Sequence, residues 1–352
     1  MIQQKVKEIY TRLRHQAAYA LKLVVYAGSV ALLTTLCKVA HADEPAAGTS
    51  SGLKLGGYSS VNASVPRDGS SELRVDDVSL MLSWENDGRL KFFGELELER
   101  PLAFNEDKRF NHKNFFFDVE RLYLDYNLSE KVNVRTGRFL TPAGRWNLLH
   151  AAPLVWTASR PLATSKLFPT AVNGLMLYGT EPYEAQGQAL EYSFFVEALK
   201  DQVRNNDETI FKNVAGAHFT LTNQLNLGLS LATFTEDTPA GPNYRMVGLD
   251  FITHVKGWEL SGEGFQRFTG GGGNNGGSGA YLQSAAPLGN NWYWLTRLET
   301  FQRPREASGE RWVLGLTKRI TPQQLLKMEF VGGSGDFTDI PRGFVGSFAV
   351  LF

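Results

Sequence analysis

The chain has 352 residues, with 36 Lys and Arg against 36 Asp and Glu and a single cysteine. A formal net charge of zero gives no electrostatic footprint for nucleic acid, so no nucleic-acid partner is expected. One cysteine, Cys37, excludes an internal disulfide framework and a Cys-based metal site.

The N-terminal segment opens with five bases and one acid in residues 1–22, followed by a fourteen-residue apolar run from Leu23 to Leu36. Crossing the hydrocarbon as a helix takes about 20 apolar residues. A shorter run behind a basic leader, ending at the small-residue site Ala40-His41-Ala42, predicts a cleaved signal peptide over residues 1–42. Leu36 is larger than the residue that precedes a lipoprotein cysteine, so lipidation of Cys37 is not expected. Cleavage removes six bases and one acid, leaving about 30 bases against 35 acids in a mature chain that begins at Asp43. A short polar lead, 43–52, then precedes the first strand.

From Leu53 onward period-two alternation dominates, which predicts strands. Leu225, Leu227, Leu229 and Leu231 alternate with Asn226, Gly228, Ser230 and Ala232. Leu90, Phe92, Leu96 and Leu98 alternate with Lys91, Phe93, Glu95 and Glu97, and Leu190, Tyr192, Phe194 and Val196 with Glu191, Ser193 and Glu197. Sixteen strands are expected, starting near Leu53, Glu72, Leu90, Asn114, Lys131, Gly174, Gln188, Phe211, Gln224, Tyr244, Trp258, Ser278, Asn291, Glu310, Gln323 and Arg342. The second, fourth, eighth, tenth and fourteenth connections are tight, at Asn86-Asp87-Gly88, Ser129-Glu130, Thr222-Asn223, Lys256-Gly257 and Thr321-Pro322, whereas the odd ones are mostly longer. Short turns on one rim and long loops on the other are the asymmetry of an outer-membrane barrel. A soluble sandwich with one buried face would also alternate. Long strands, tryptophans near strand ends (Trp84, Trp258, Trp292, Trp294, Trp312) and the in-phase Phe344, Phe348, Val350 and Phe352 favour the membrane. The expected fold is therefore all-β: a transmembrane antiparallel β-barrel of about sixteen strands, occupying residues 53–352 in contact with outer-membrane lipids.

Strand number, export signal and terminal Phe together make the chain resemble a classical sixteen-stranded bacterial outer-membrane porin. The stretch Val134-Arg135-Thr136-Gly137-Arg138-Phe139-Leu140-Thr141-Pro142-Ala143-Gly144 resembles most nearly the phosphate-selective O/P-type group. The resemblance implies the Gram-negative outer membrane, passive diffusion of small polar or anionic solutes, a homotrimer, and a loop after the fifth strand that folds into the barrel.

That loop would be residues 139–173, which exceed the usual loop length and carry apolar pieces, Leu148-Leu149 and Ala151 to Trp156, awkward in water. Between Lys131 and Thr180 there is no Asp or Glu, while Lys131, Arg135, Arg138, Arg145, Arg160 and Lys166 carry positive charge. Opposite them the inward phases supply Glu95, Glu97, Glu99, Glu191, Glu197, Asp250, Glu259 and Glu263, with Arg121, Arg297, Arg311 and Lys327. The expected pore lining is Arg135, Arg138, Arg145, Arg160, Lys166, Glu95, Glu97, Glu263 and Arg297, in a passage whose low dielectric strengthens each charge.

Other motifs lead nowhere. The string Gly271 to Gly276 matches a phosphate-loop pattern but lacks the helix that would receive the charge. His112, His150, His218 and His254 have no metal-ligand spacing. No metal and no cofactor is expected, and no enzymatic activity: an outer-membrane hydrolase would need His and Ser meeting on the outer face, and the nearest candidate, His218, falls in the inward phase. A non-conducting structural or adhesion barrel and a hydrophobe channel are the remaining rivals.

Overall fold

A computed structural model describes residues 52–352, apart from position 87 and segments 107–108, 112–114, 184–187, 202–208, 239–240, 271–275, 304–307 and 336–341. The signal peptide, the 43–51 lead, Cys37, His112 and most of the glycine string lie outside the described residues. The strands are β1 (Gly52–Pro66), β2 (Glu72–Glu85), β3 (Leu90–Asn105), β4 (Arg109–Asn111), β5 (Phe116–Ser129), β6 (Val132–Leu140), β7 (Ala171–Pro182), β8 (Ala189–Leu199) and β9 (Phe211–Thr222). There follow β10 (Leu225–Glu236), β11 (Asn243–Val255), β12 (Trp258–Thr269), β13 (Ser278–Gly289), β14 (Trp292–Gln302), β15 (Gly309–Thr321), β16 (Gln324–Gly333) and β17 (Gly343–Leu351).

Apart from β4, each strand pairs antiparallel with the strands before and after it, and β1 pairs with β17, so the sheet closes. The short β4 is a spur on β3 inside a long loop, and β3 pairs onward with β5. What remains is a barrel of sixteen strands, which satisfies every ladder group internally and leaves no edge.

Alternation decides the faces. Leu229 is paired with Leu249 and Phe219, and Leu227 with Phe251 and Leu221, on the outer face, where the four leucines are exposed and the two phenylalanines half-buried. Between them Ser230 faces His218 and Gly248, and Gly228 faces Asp250, on the inner side. The two-residue turns lie on one rim. At Lys256-Gly257 and Asn290-Asn291 both central residues have positive φ, the backbone twist that matches a hairpin's own.

The inner face is not uniform. On β7 to β14 it carries an apolar cluster including Met176, Phe195, Phe211, Phe234, Tyr244, Met246, Phe265, Tyr281 and Phe301. Phe139, Ala143, Leu162, Ala163, Leu167 and Phe168 pack into that cluster, with Phe168 and Phe265 ring centroids 4.9 Å apart. Burial of each large side chain contributes about 1.5–3 kcal/mol, enough to hold the segment between β6 and β7 against this half of the lumen.

Candidate functional site

The segment between β6 and β7 includes one helical turn, α1 (Trp146–Leu149), and a 3-10 turn, Leu162–Thr164. Its backbone donors find carboxylates on alternate strands. Glu263 on β12 accepts the N–H groups of Arg145 (3.1 Å) and Trp146 (2.6 Å), the otherwise unpaired donors at the start of α1. Glu299 on β14 accepts the Leu162 N–H at 2.7 Å. Glu329 on β16 accepts the N–H groups of Ala158 and Ser159 and, at 2.7 Å, the Ser159 hydroxyl. The bases of the same wall take the carbonyls. Lys327 Nζ donates to Ala152 O at 2.6 Å and Thr157 O at 3.2 Å, and Arg311 donates to Arg160 O. Arg297 donates to the Thr157 and Ser159 hydroxyls at 2.6 and 2.7 Å. Charge-assisted bonds of this kind are roughly twice as strong as neutral ones, so the loop is fastened across β12 to β16.

Its other side faces a cavity of about 1280 Å³. One wall, from β2, β3 and β5, presents Asp76, Asp77, Glu97, Glu99 and Glu120. The loop presents Trp146, His150, Val155, Arg160 and Lys166. Arg160 rests on the Trp146 ring, 4.7 Å from its centroid, and donates to Thr164 O at 2.6 Å and Asn147 Oδ1 at 3.2 Å. Burial pulls the Arg160 guanidinium down to about 10, opposed by the charges of Glu120, Glu263 and Glu99, so it remains a cation at neutral pH. Burial also holds His150 below its ordinary value, although Glu120 lies 3.4 Å from Nε2 and pulls the other way.

The expected lining residues therefore part company. Arg160, Lys166 and Glu97 line the cavity. Glu263 and Arg297 do not: both are spent behind the loop as its fastenings. Glu95 is buried, accepting from Ser79 and paired with Arg121. Arg135 is bidentate to Asp125 at 2.7 and 2.8 Å and lies over the Tyr123 ring at 3.7 Å, locked into the wall. Arg138 bonds Asp201 at 2.9 Å and Asn173 at 3.2 Å. Arg145 stands outside the cavity lining.

No protein-family model matches the chain. An uncharacterized protein of Aquifex aeolicus (strain VF5) is 29% identical over 226 residues, 60% of this chain and 50% of that one, so the chain spans about half the length of the curated relative it matches. Among solved structures, the trimer form of OmpT of Vibrio cholerae superposes with a TM-score of 0.57 at 8% identity, covering 86% of this chain and 99% of that one. The anion-selective porin of Comamonas acidovorans gives 0.55 at 15%, covering 86% and 98%. OmpF of Salmonella typhi, in complex with daunomycin, gives 0.57 at 9%, covering 85% and 97%. The fold is that of a sixteen-stranded outer-membrane porin.

Within that porin fold, Asp76, Asp77, Asp118, Glu120 and the loop-fastening role of Glu299 and Glu329 escaped sequence reasoning. Asp77 and Glu120 sit beside bulges, where the register shifts between Val75 and Asp77 and between Glu95 and Leu96, so a strict period of two does not identify their face. A signal for the fastenings does exist: Glu263, Glu299 and Glu329 recur on every second strand, each in an inward phase. His218 bonds Ser230 and Thr220 at 2.9 and 3.0 Å inside the barrel, and Ser230 also accepts the Gly144 N–H. Among the described residues no group of three or more His, Cys, Asp or Glu side chains could hold a metal ion.

Proposed function

We propose that the chain is a passive diffusion porin of the Gram-negative outer membrane, with the loop between β6 and β7 setting the width of its passage. The observation that carries the reading is the cavity between loop and β1–β5 wall. The loop is fixed to one half of the lumen and leaves a polar, charge-lined space beside the other half. Export through a signal peptide cleaved before Asp43 belongs to the same reading and rests on the short apolar run and its Ala-x-Ala end. So does assembly as a homotrimer, the form in which OmpT of Vibrio cholerae superposes on this chain. The finer resemblance to the phosphate-selective group rests on the 134–144 stretch, whose arginines are engaged with Asp125 and Asp201. An anion filter needs guanidinium groups free to meet the anion, so small polar and charged solutes in general are the proposed cargo.

Planar-bilayer recording of refolded protein tests this. Stepwise conductance in KCl is expected, and trimming the tip of the loop should raise the unit conductance. A folded barrel that inserts without conducting would overturn the reading, and an unchanged conductance after trimming would remove the loop from it.

A further inference from the structure

We propose that His150 is the positioning residue that sets the width of the passage: α1 crosses the lumen from β12 to β5, and His150 is its abutment on Glu120. This rests on the diffusion-channel reading and adds to it the residue that fixes the bridge.

The span follows from the order of the sheet. β12 and β5 lie seven places apart in the ring of sixteen strands, on nearly opposite walls. Glu263 on β12 holds the start of α1 through the Arg145 and Trp146 N–H groups. At the other end His150, which follows the last residue of α1, brings Nε2 to 3.4 Å from Glu120 Oε1 on β5. Glu120 is the residue that the β3–β5 ladder skips, between Arg121 opposite Glu95 and Val119 opposite Leu96. A bulge of that kind re-aims a side chain, here into the cavity that His150 also lines. The two abutments are unequal. Two backbone donors on a buried carboxylate fix the β12 end, whereas a single side-chain contact fixes the β5 end.

That contact has a proton requirement. His150 Nδ1 lies 2.9 Å from Asn147 O, a carbonyl that only accepts, so Nδ1 carries the hydrogen. In the neutral imidazole Nε2 is then a bare lone pair, and an ionised Glu120 offers nothing but acceptors. Two acceptors repel. One further proton, on either residue, turns the repulsion into a hydrogen bond. Arg160 on the loop, Tyr58 on β1, Glu97 and Glu99 on β3, and Asp118 two residues along β5 surround the pair. Burial opposes charging of His150, and Arg160 and Arg121 add to that opposition while Glu120 favours it. The contact is therefore closed below the His150 titration and released as pH rises through it.

Unit conductance, and the largest neutral polyethylene glycol that enters the channel, are read in about 1 M KCl, where the Debye length is about 3 Å. The pH runs from about 4 to about 8, a range that brackets an imidazole lowered from about 6.5 by burial. In the native channel both readings are expected to rise with pH. His150→Ala should conduct at the upper level throughout and admit the larger polymers, with the pH response lost. Glu120→Gln should stay at the lower level throughout, because its amide N–H reaches the Nε2 lone pair with no added proton. That rescue of the closed bridge separates a strut from a merely structural contact. A conducting native channel that is flat across the pH range overturns the strut without any variant. So does a conducting His150→Ala channel with the native size limit, or a Glu120→Gln channel that opens with pH as the native one does. A folded barrel that carries no current overturns the diffusion reading, and this inference falls with it.

Discussion

At Gly144 the main chain adopts φ +66, and a Cβ built there would lie 2.2 Å from Glu263 Oε2. Gly144→Ala is therefore expected to strain the backbone by about 1–2 kcal/mol and to push aside the carboxylate that accepts the Arg145 and Trp146 N–H groups. Leaving those donors unsatisfied costs about a further 1–3 kcal/mol. The refolded barrel should unfold at a lower temperature and its open-channel current should become noisier as the loop loosens. A variant matching the native protein in both would show that the Glu263 contact does not hold the loop. A second glycine shows what a period of two cannot tell. A regular strand would send Arg138 outward with Val134 and Thr136. Gly137 has φ +125, the alternation breaks, and Arg138 comes to lie buried against Asp201 and Asn173.

Strands were legible in the sequence because a barrel imposes its strongest constraint locally. Grease outside and polarity inside repeat every two residues, and each expected start falls within three residues of an observed one. The spur β4 was not legible, since its three residues carry no pattern of their own. Nor were the loop's partners: length and composition mark residues 139–173 as unusual, but the carboxylates that fasten it lie more than a hundred residues away in sequence. These fastenings should differ in strength. Glu299 accepts from the loop and also neutralises Arg297 and Arg311, both buried, whereas Glu329 accepts the Ala158 and Ser159 donors. Removing one partner of a buried ion pair costs about 3–5 kcal/mol, and losing hydrogen bonds to a charged acceptor about 1.5–3 kcal/mol each. Glu299→Ala is thus expected to lower the denaturant midpoint more than Glu329→Gln, which keeps one acceptor oxygen. Equal losses, measured side by side on the refolded barrel, would mean that the Glu299 ion pairs add nothing beyond loop attachment.

Across the whole molecule the loop divides the lumen into a packed half and an open half, and the consequence for ion flow depends on which half a charge faces. Arg160 lines the open cavity, and at about 10 its titration leaves it cationic at neutral pH. Arg145 lies outside that lining. Sequence spacing alone made the two equivalent; the docking of the loop separates them. In water a unit charge about 10 Å from a passing ion changes its energy by about 0.4 kcal/mol, near a factor of two in relative permeability. Arg160→Gln, which retains an amide donor for Thr164 O, favours the cation and disfavours the anion by that factor each, and should therefore raise the cation-to-anion permeability ratio about four-fold, read as a shift of reversal potential in a KCl gradient. Arg145→Gln should leave that potential close to the native value while altering the stability of the packed half. If Arg145→Gln shifts the reversal potential as far as Arg160→Gln does, ions pass on both sides of the loop, and the open half is not the only route through the barrel.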